Sequence, residues 1–275
     1  MTRMPHSRTL RGLASFAALL VMVRPFDATA GGGEETPPGS VYKTDPRIDL
    51  PIVIAGFLSG LELYTLDARL ARPSCPCDPG SVNAFDRTVI GNNSGAAAVA
   101  SDFTVGLTLL GPLLADGLAL RDAGPFKEDA TVFLEALAVN TGLVTVVKFI
   151  VQRPLPITYD PADPALVASP GGYRSFFSGH TSLAFAALST ASMTIGLRYG
   201  SWKLPWVVTA LVGTSVGLER VAAGRHFYSD VIVGMLAGTA IGVSVPLIHR
   251  RKSSVFLRPL ILDSESSGVA VGGPL

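Results

Sequence analysis

The sequence predicts an all-α protein, a membrane-embedded bundle of about five to six transmembrane helices, and three observations carry that prediction. Of the 275 residues, 48% are hydrophobic and only 16% charged, with a mean hydropathy of +0.42, a balance that belongs to the membrane class. The apolar residues gather into successive runs which, with their flanks, are about 17–25 residues long, the length that crosses a hydrocarbon core. Small residues recur inside them, most regularly Gly234, Gly238 and Gly242, a spacing that lets helices approach closely. A buried helical bundle in a soluble protein is the duller alternative. A net charge of +1 and the lack of any long Lys/Arg run give no nucleic-acid signal.

The elements follow in order. Arg3, Arg8 and Arg11 precede an apolar run from Leu13 to Val23, and Ala28-Thr29-Ala30 follows. This is the tripartite pattern of a secretory signal peptide over residues 1–30, with an uncleaved anchor as the alternative. Gly31 to Pro46 is a non-periodic linker. Leu50 to Leu66 is apolar apart from Glu62 and reads either as a span or as a helix in the interface. Asp67 to Asn93 is polar and turn-rich, an extramembrane loop. It holds Cys75 and Cys77, too few for a disulfide framework or a four-ligand zinc site. A bridge between residues only two apart is expected to be strained, so a loop with loose thiols is expected.

Stronger helices are predicted at Ser94–Leu114, Ala130–Val151, Thr181–Leu197, Pro205–Leu218 and Val231–Ile248, the second stopped by Pro154. Arg121 and Lys127, Arg198 and Lys203, and Arg250-Arg251-Lys252 all fall on one side of the alternating topology, which the positive-inside tendency makes cytoplasmic. The opposite side carries Arg153, Ser178-Gly179-His180 and the stretch from Arg220 to Asp230. A cytoplasmic C-terminus then requires one of two arrangements. Either the signal stays attached and one weak segment does not span, or the first mature segment is only interfacial.

Three polar motifs sit at the outer helix ends. Lys148-Phe-Ile-Val-Gln-Arg153-Pro154 closes one helix, and Ser175-Phe-Phe-Ser178-Gly179-His180-Thr181 opens the next. Glu219-Arg220-Val-Ala-Ala-Gly-Arg225-His226-Phe-Tyr-Ser-Asp230 bridges the last two. A serine N-cap with free backbone N–H groups favours an anion, and Lys148, Arg153 and Arg220 can converge on the same point. Of the four histidines in the chain, two lie in these motifs. Cations, N–H donors and two imidazoles suit a phosphate ester, one imidazole attacking phosphorus and the other protonating the leaving oxygen. Each residue alone has a plainer role, as a snorkelling cation, a cap or a structural histidine; their joint occurrence facing one compartment reads as a site. Asp102 and Glu135, charges within apolar runs, are expected to make helix–helix contacts, with a second functional feature as the alternative.

The motifs resemble those of the type 2 phosphatidic acid phosphatase superfamily, which also includes vanadium haloperoxidases and bacterial acid phosphatases. The family pattern is Lys-x6-Arg-Pro, then Pro-Ser-Gly-His, then Ser-Arg-x5-His-x3-Asp, and the likeness runs from about Ala130 to Ile248. It implies His226 as nucleophile forming a phosphohistidine, Asp230 orienting it, and His180 as acid and then base. Lys148, Arg153, Ser178, Gly179 and Arg220 would bind phosphate, and neither metal nor cofactor would be needed. Leu155 stands where the first-motif Arg belongs, with Arg153 and Arg174 as substitutes. Phe177 replaces a Pro, and Glu219, expected to pair with Arg220 or Arg153, replaces a Ser.

The expected domains are a signal peptide (1–30), a linker, weak segment and loop (31–93), a phosphatase domain (94–252) and a tail (253–275). The expected activity is hydrolysis of a lipid phosphate or lipid diphosphate among membrane lipids, from the periplasmic face of a bacterial inner membrane. The alternatives are an exported acid phosphatase or haloperoxidase on the same site, and a catalytically weakened lipid-binding module.

Overall fold

The computed structural model describes residues 39–70, 75, 77–120, 122–159, 164–251, 256–263 and 266–272. The signal-peptide reading of residues 1–30, and Arg121 and Lys252, lie outside them. The body is helical. Long helices α1 (Pro46–Leu70), α3 (Gly95–Ala119), α4 (Ala123–Val151), α6 (Gly179–Tyr199), α7 (Lys203–Ala222) and α8 (Tyr228–His249) are joined by loops that hold short helices α2 (Ala84–Arg87) and α5 (Pro164–Ala168). Each predicted helix is present and runs a few residues further, because the polar residues at its ends act as caps. Ser94 Oγ accepts from the Ala97 N–H at 3.2 Å, and Asp122 Oδ1 accepts from the Gly124 N–H at 2.9 Å. Helix α4 ends at Gln152, in the left-handed region with φ 47, just before Arg153-Pro154, where proline cannot continue the helix. The tail is not featureless: its backbone forms an antiparallel hairpin, β1 (Phe256–Asp263) with β2 (Ser266–Gly272).

Helix α6 occupies the centre, packed against α8, α7, α4 and α3. Apart from Phe185, Met193 and Arg198, its buried residues are Ala, Gly, Ser and Thr, which bring neighbouring backbones together. A Cβ added to Gly234, Gly238 or Gly242 would lie 2.8, 2.2 or 2.6 Å from the carbonyl oxygens of Ser178, Ser182 and Ala186, so the glycine stripe of α8 is where that helix meets α6. Three stretches are long and apolar enough to cross a membrane by length and composition: Gly95–Ala119, Ala123–Thr158 and Tyr228–His249. Helix α6 falls outside that group for a physical reason, since a helix enclosed by other helices needs small side chains rather than lipid-facing ones. Lipid-facing character is clearest on α3, where Val99, Phe103, Leu110, Leu114 and Leu118 are exposed in one stripe. A water-soluble surface would not tolerate such a stripe without a partner.

Helix α1, for which span and interfacial helix were both open, packs along α4, so closely that a Cβ on Gly56 would meet the Ala138 carbonyl oxygen at 2.4 Å. At one end of the bundle the entry to α1 meets the exit of α8. Tyr42 forms a bridge with Arg250, and the Lys43 N–H donates to the His249 carbonyl at 2.8 Å. The loose-thiol expectation is corrected: Cys75 and Cys77 are joined as a disulfide, their Cα atoms 4.3 Å apart. The Cys-Pro-Cys turn holds them just short of the usual Cα–Cα range.

Candidate active site

The three motifs meet at the other end of the bundle, where α4 and α7 finish and α6 and α8 begin. The loop carrying His226 is pinned by Gly224, at φ 66, where a Cβ would lie 2.0 Å from the Asn92 carbonyl oxygen. The Gly224 carbonyl accepts the Ile157 N–H at 3.1 Å. His226 is buried, and its Nδ1 lies 2.7 Å from the Ser175 carbonyl oxygen. A carbonyl can only accept, so Nδ1 carries the hydrogen and Nε2 of the neutral ring keeps a lone pair. Burial, then the positive charges of Lys148 and Arg220, push His226 well below its ordinary value, against the upward pull of the Ser175 bond.

Asp230 works one step removed from this ring. Its Oδ2 is 3.9 Å from His226 Nδ1, beyond hydrogen-bond distance. The same oxygen accepts the Ser175 hydroxyl at 2.5 Å and the Phe227 N–H at 2.9 Å. Asp230 thus fixes both the residue whose carbonyl holds the imidazole and the backbone beside it. Its other oxygen takes Arg153 Nη1 at 2.6 Å, and Arg153 Nη2 reaches Asp86 at 2.8 Å. The guanidinium also donates to Ser229 Oγ at 2.8 Å and lies 4.1 Å above the Phe227 ring. Both Nη nitrogens of the fork are therefore engaged with carboxylates, which makes support of Asp230 a second role beside the expected phosphate binding. Burial pushes the Asp86 carboxyl up, but hydrogen bonds from Arg153, Ser229 and Asn83 outweigh it and hold the group below the usual carboxylate range.

The cations approach from the sides. Lys148, buried, donates to the Arg174 carbonyl, and its stem lies against Gly179, where a Cβ would be 3.7 Å from Cε. Arg220 Nη1 donates to Ser101 Oγ at 3.2 Å and lies 3.6 Å from Asp102, while its buried Nε has no hydrogen-bond partner among the described residues. Ser178 caps α6, its Oγ accepting from the Thr181 N–H at 3.4 Å, and its own N–H donates to the Asp230 carbonyl at 3.0 Å. His180, on the first turn of α6, has Nε2 2.8 Å from Asp102 Oδ1. Asp102 therefore makes a helix–helix contact, and makes it at the site.

The first-motif gap is packed shut. Leu155 is buried, with its N–H given to the Gly172 carbonyl at 2.8 Å. The Arg174 guanidinium stacks over Phe149 at 5.4 Å. Arg220 pairs with Asp102, and Arg153 with Asp86 and Asp230, where Glu219 was expected; the buried Glu219 Oε2 has no hydrogen-bond partner among the described residues. Sequence reasoning missed four residues of the network. Ser175 stood unused inside a quoted motif and Ser229 inside another, Asp102 had been set apart as structural, and Asp86 lay in a loop without any local signal.

Residues 129–254 match the PAP2 superfamily model. Among curated proteins, the chain is 35% identical over 104 residues to the probable diacylglycerol pyrophosphate phosphatase 1 of Schizosaccharomyces pombe, covering 32% of this chain and 36% of that protein. It is 33% identical over 82 residues to phospholipid phosphatase 1 of Rattus norvegicus, covering 28% and 29%. The match thus spans about a third of the length of these relatives. Among solved structures, Aquifex aeolicus LpxE is 29% identical, covering 59% of this chain and 92% of that one, with a TM-score of 0.42.

Proposed function

We propose, from the match of residues 129–254 to the PAP2 superfamily model, that the chain is an integral membrane phosphatase that hydrolyses a lipid phosphate or lipid diphosphate. His226 Nε2 attacks phosphorus, the bond to the leaving oxygen breaks, and His180 delivers the proton that the leaving alcohol needs. Water then attacks the phosphohistidine with His180 as base, returning His226 and releasing phosphate. Lys148, the Arg220 Nε–H, the Ser178 hydroxyl and the Gly179 N–H stabilise charge on the phosphoryl oxygens. Asp102 holds the His180 ring. Arg153, with Asp86, holds Asp230. The catalytic domain is taken as residues 94–252, with the site facing away from the cytoplasm. The lipid nature of the substrate is supported by the names of the two curated relatives and by the apolar stripe on α3.

The observation that carries this reading is the His226 ring itself. Its hydrogen is given to the Ser175 carbonyl, its remaining nitrogen is free to attack, and it lies in the field of Lys148 and Arg220. The test is phosphate release from phosphatidic acid by protein purified in detergent, with no metal added. Wild type is expected to turn over and His226→Ala to lose activity. Turnover surviving in His226→Ala sinks the mechanism, and inactivity on every lipid phosphate and diphosphate sinks the function.

A further inference from the structure

At the end of the bundle far from His226, three side chains from three helices converge: Asp49 of α1, Glu135 of α4 and His249, the last residue of α8. One ligand atom from each lies within 4.8 Å of the others. His249 Nε2 is 3.4 Å from Asp49 Oδ1 and 3.3 Å from Glu135 Oε2. The carboxylates are shielded from water, Asp49 being 3% and Glu135 6% exposed.

The hydrogen-bond arrangement shows what the cluster lacks. His249 Nδ1 lies 3.0 Å from the Val245 carbonyl, which can only accept, so Nδ1 carries the hydrogen. The neutral ring then turns the Nε2 lone pair towards two carboxylates. Glu135 Oε2 is buried without a hydrogen-bond partner, and Asp49 satisfies its other oxygen with the Asp45 N–H at 2.7 Å. Unless a second proton on Nε2 is donated to Asp49 Oδ1, 3.4 Å away, three electron-pair donors face one another, which is costly in a buried place unless positive charge sits there. A proton on His249 would leave one net negative charge; a divalent cation balances both carboxylates.

The spacing fits an ion. Ligands about 2.0–2.1 Å from a tetrahedral metal lie about 3.4 Å apart, matching the two imidazole–carboxylate separations of 3.4 and 3.3 Å. The Nδ1–H bond to a backbone carbonyl is the outer contact that orients a metal-bound histidine. One imidazole with two carboxylates suits zinc and similar first-row dications better than magnesium or calcium, which prefer oxygen alone.

We propose that Asp49, Glu135 and His249 form a binding site for a zinc-class divalent cation that fastens α1 to α4 and α8. Helix α1 lies outside the matched residues 129–254, and the ion ties it to them. This proposal does not rest on the phosphatase reading, because its readout is metal binding.

The test uses the full chain in detergent, stripped with chelator and then titrated with Zn²⁺ by calorimetry, with metal analysis after gel filtration. Wild type is expected to take up about one zinc per chain and to melt at a higher temperature with zinc than without. Glu135→Gln and His249→Gln should each weaken binding more than the roughly 10–100-fold typical of losing an outer contact, and should abolish the rise in melting temperature. His226→Ala should bind zinc as wild type does. If a variant fails to fold, the visible spectrum of Co²⁺-loaded wild type supplies the check, since nitrogen–oxygen ligation must appear there. Absence of zinc uptake by wild type, uptake unchanged in both ligand variants, or uptake lost in His226→Ala would overturn the proposal.

Discussion

Arg153→Lys separates the two roles open to this residue, phosphate ligand or support for Asp230. The guanidinium fork holds Asp230 at 2.6 Å and Asp86 at 2.8 Å and stacks on Phe227 at 4.1 Å. A lysine ammonium is a point charge and can serve only one carboxylate well. Losing one charge-assisted hydrogen bond costs about 1.5–3 kcal/mol, and the lost stacking adds about 0.5–1 kcal/mol. Asp86 keeps its bonds from Asn83 and Ser229, so the lower half applies, about 2–3 kcal/mol of stability. Full removal in Arg153→Ala strands buried carboxylates and costs about 3–5 kcal/mol. In the assay, phosphate release from phosphatidic acid in mixed micelles, a loosened Asp230 should lower kcat about tenfold or more, equivalent to about 1.4 kcal/mol, with KM little changed. Asp86→Asn should act in the same direction, and the double variant should lose less than the sum of the two. A raised KM with kcat intact would refute the reasoning, since it is the signature of lost binding common to ground and transition states.

Two further outcomes follow from the geometry. His226 is depressed below its ordinary 6.5, so it should remain an unprotonated nucleophile into mildly acid solution, and the acid limb of kcat/KM should fall below pH 6.5 and move up in Lys148→Met; a wild-type limb at or above 6.5 would contradict this. The same depression means the unfolded chain binds the proton more readily, so this group's contribution to stability is full above pH 6.5 and is lost as pH falls through the window beneath it, which thermal melts across pH can check. Gly238→Ala should destabilise the bundle by about 1–3 kcal/mol, because the new Cβ would lie 2.2 Å from the Ser182 carbonyl oxygen; a melting temperature equal to that of wild type would show that α6 and α8 are not in backbone contact.

The sequence made the helices legible because apolar run length and capping residues are local signals, as at Ser94 and Asp122. It also made the residues of the candidate site legible, because His226 and Asp230 lie four residues apart at the start of one helix and Ser178 opens another. Support for those groups was not legible where it comes from afar. Asp86 reaches Arg153 and Ser229 from a loop 67 and 143 residues away in the chain, and nothing local to Asn83-Ala-Phe-Asp86 marks it. The partners of Arg153 were not legible for the same reason: spacing places a cation near the phosphate, but only the fold reveals that two carboxylates occupy its fork. The Cys75–Cys77 bridge escaped because a general expectation of strain stood in for the actual geometry of the turn.

Orientation is where structure adds a constraint that the loops alone lacked. Residues entering α1 and residues leaving α8 are bonded together, through Tyr42 with Arg250 and the Lys43 N–H with the His249 carbonyl. They therefore share one side of the membrane. The site lies at the other end of α8, whose 22 residues rise about 33 Å, the thickness of a hydrocarbon core. Lys43, Arg47, Lys127, Lys203 and Arg250 lie at the α1-entry end, away from the site, and the positive-inside tendency predicts a cytoplasmic position for that end. On that assignment residues 39–45 remain cytoplasmic and the site faces outward. A leader that carried residues 39–45 across the membrane would carry Arg250 with them and turn the site inward, so a translocated segment at 39–45 and an outward site are incompatible readings. Single cysteines at Ser40 and Ser201 in a chain with Cys75 and Cys77 replaced decide between them: both protected from an impermeant maleimide in intact cells supports the outward site, and both labelled refutes it.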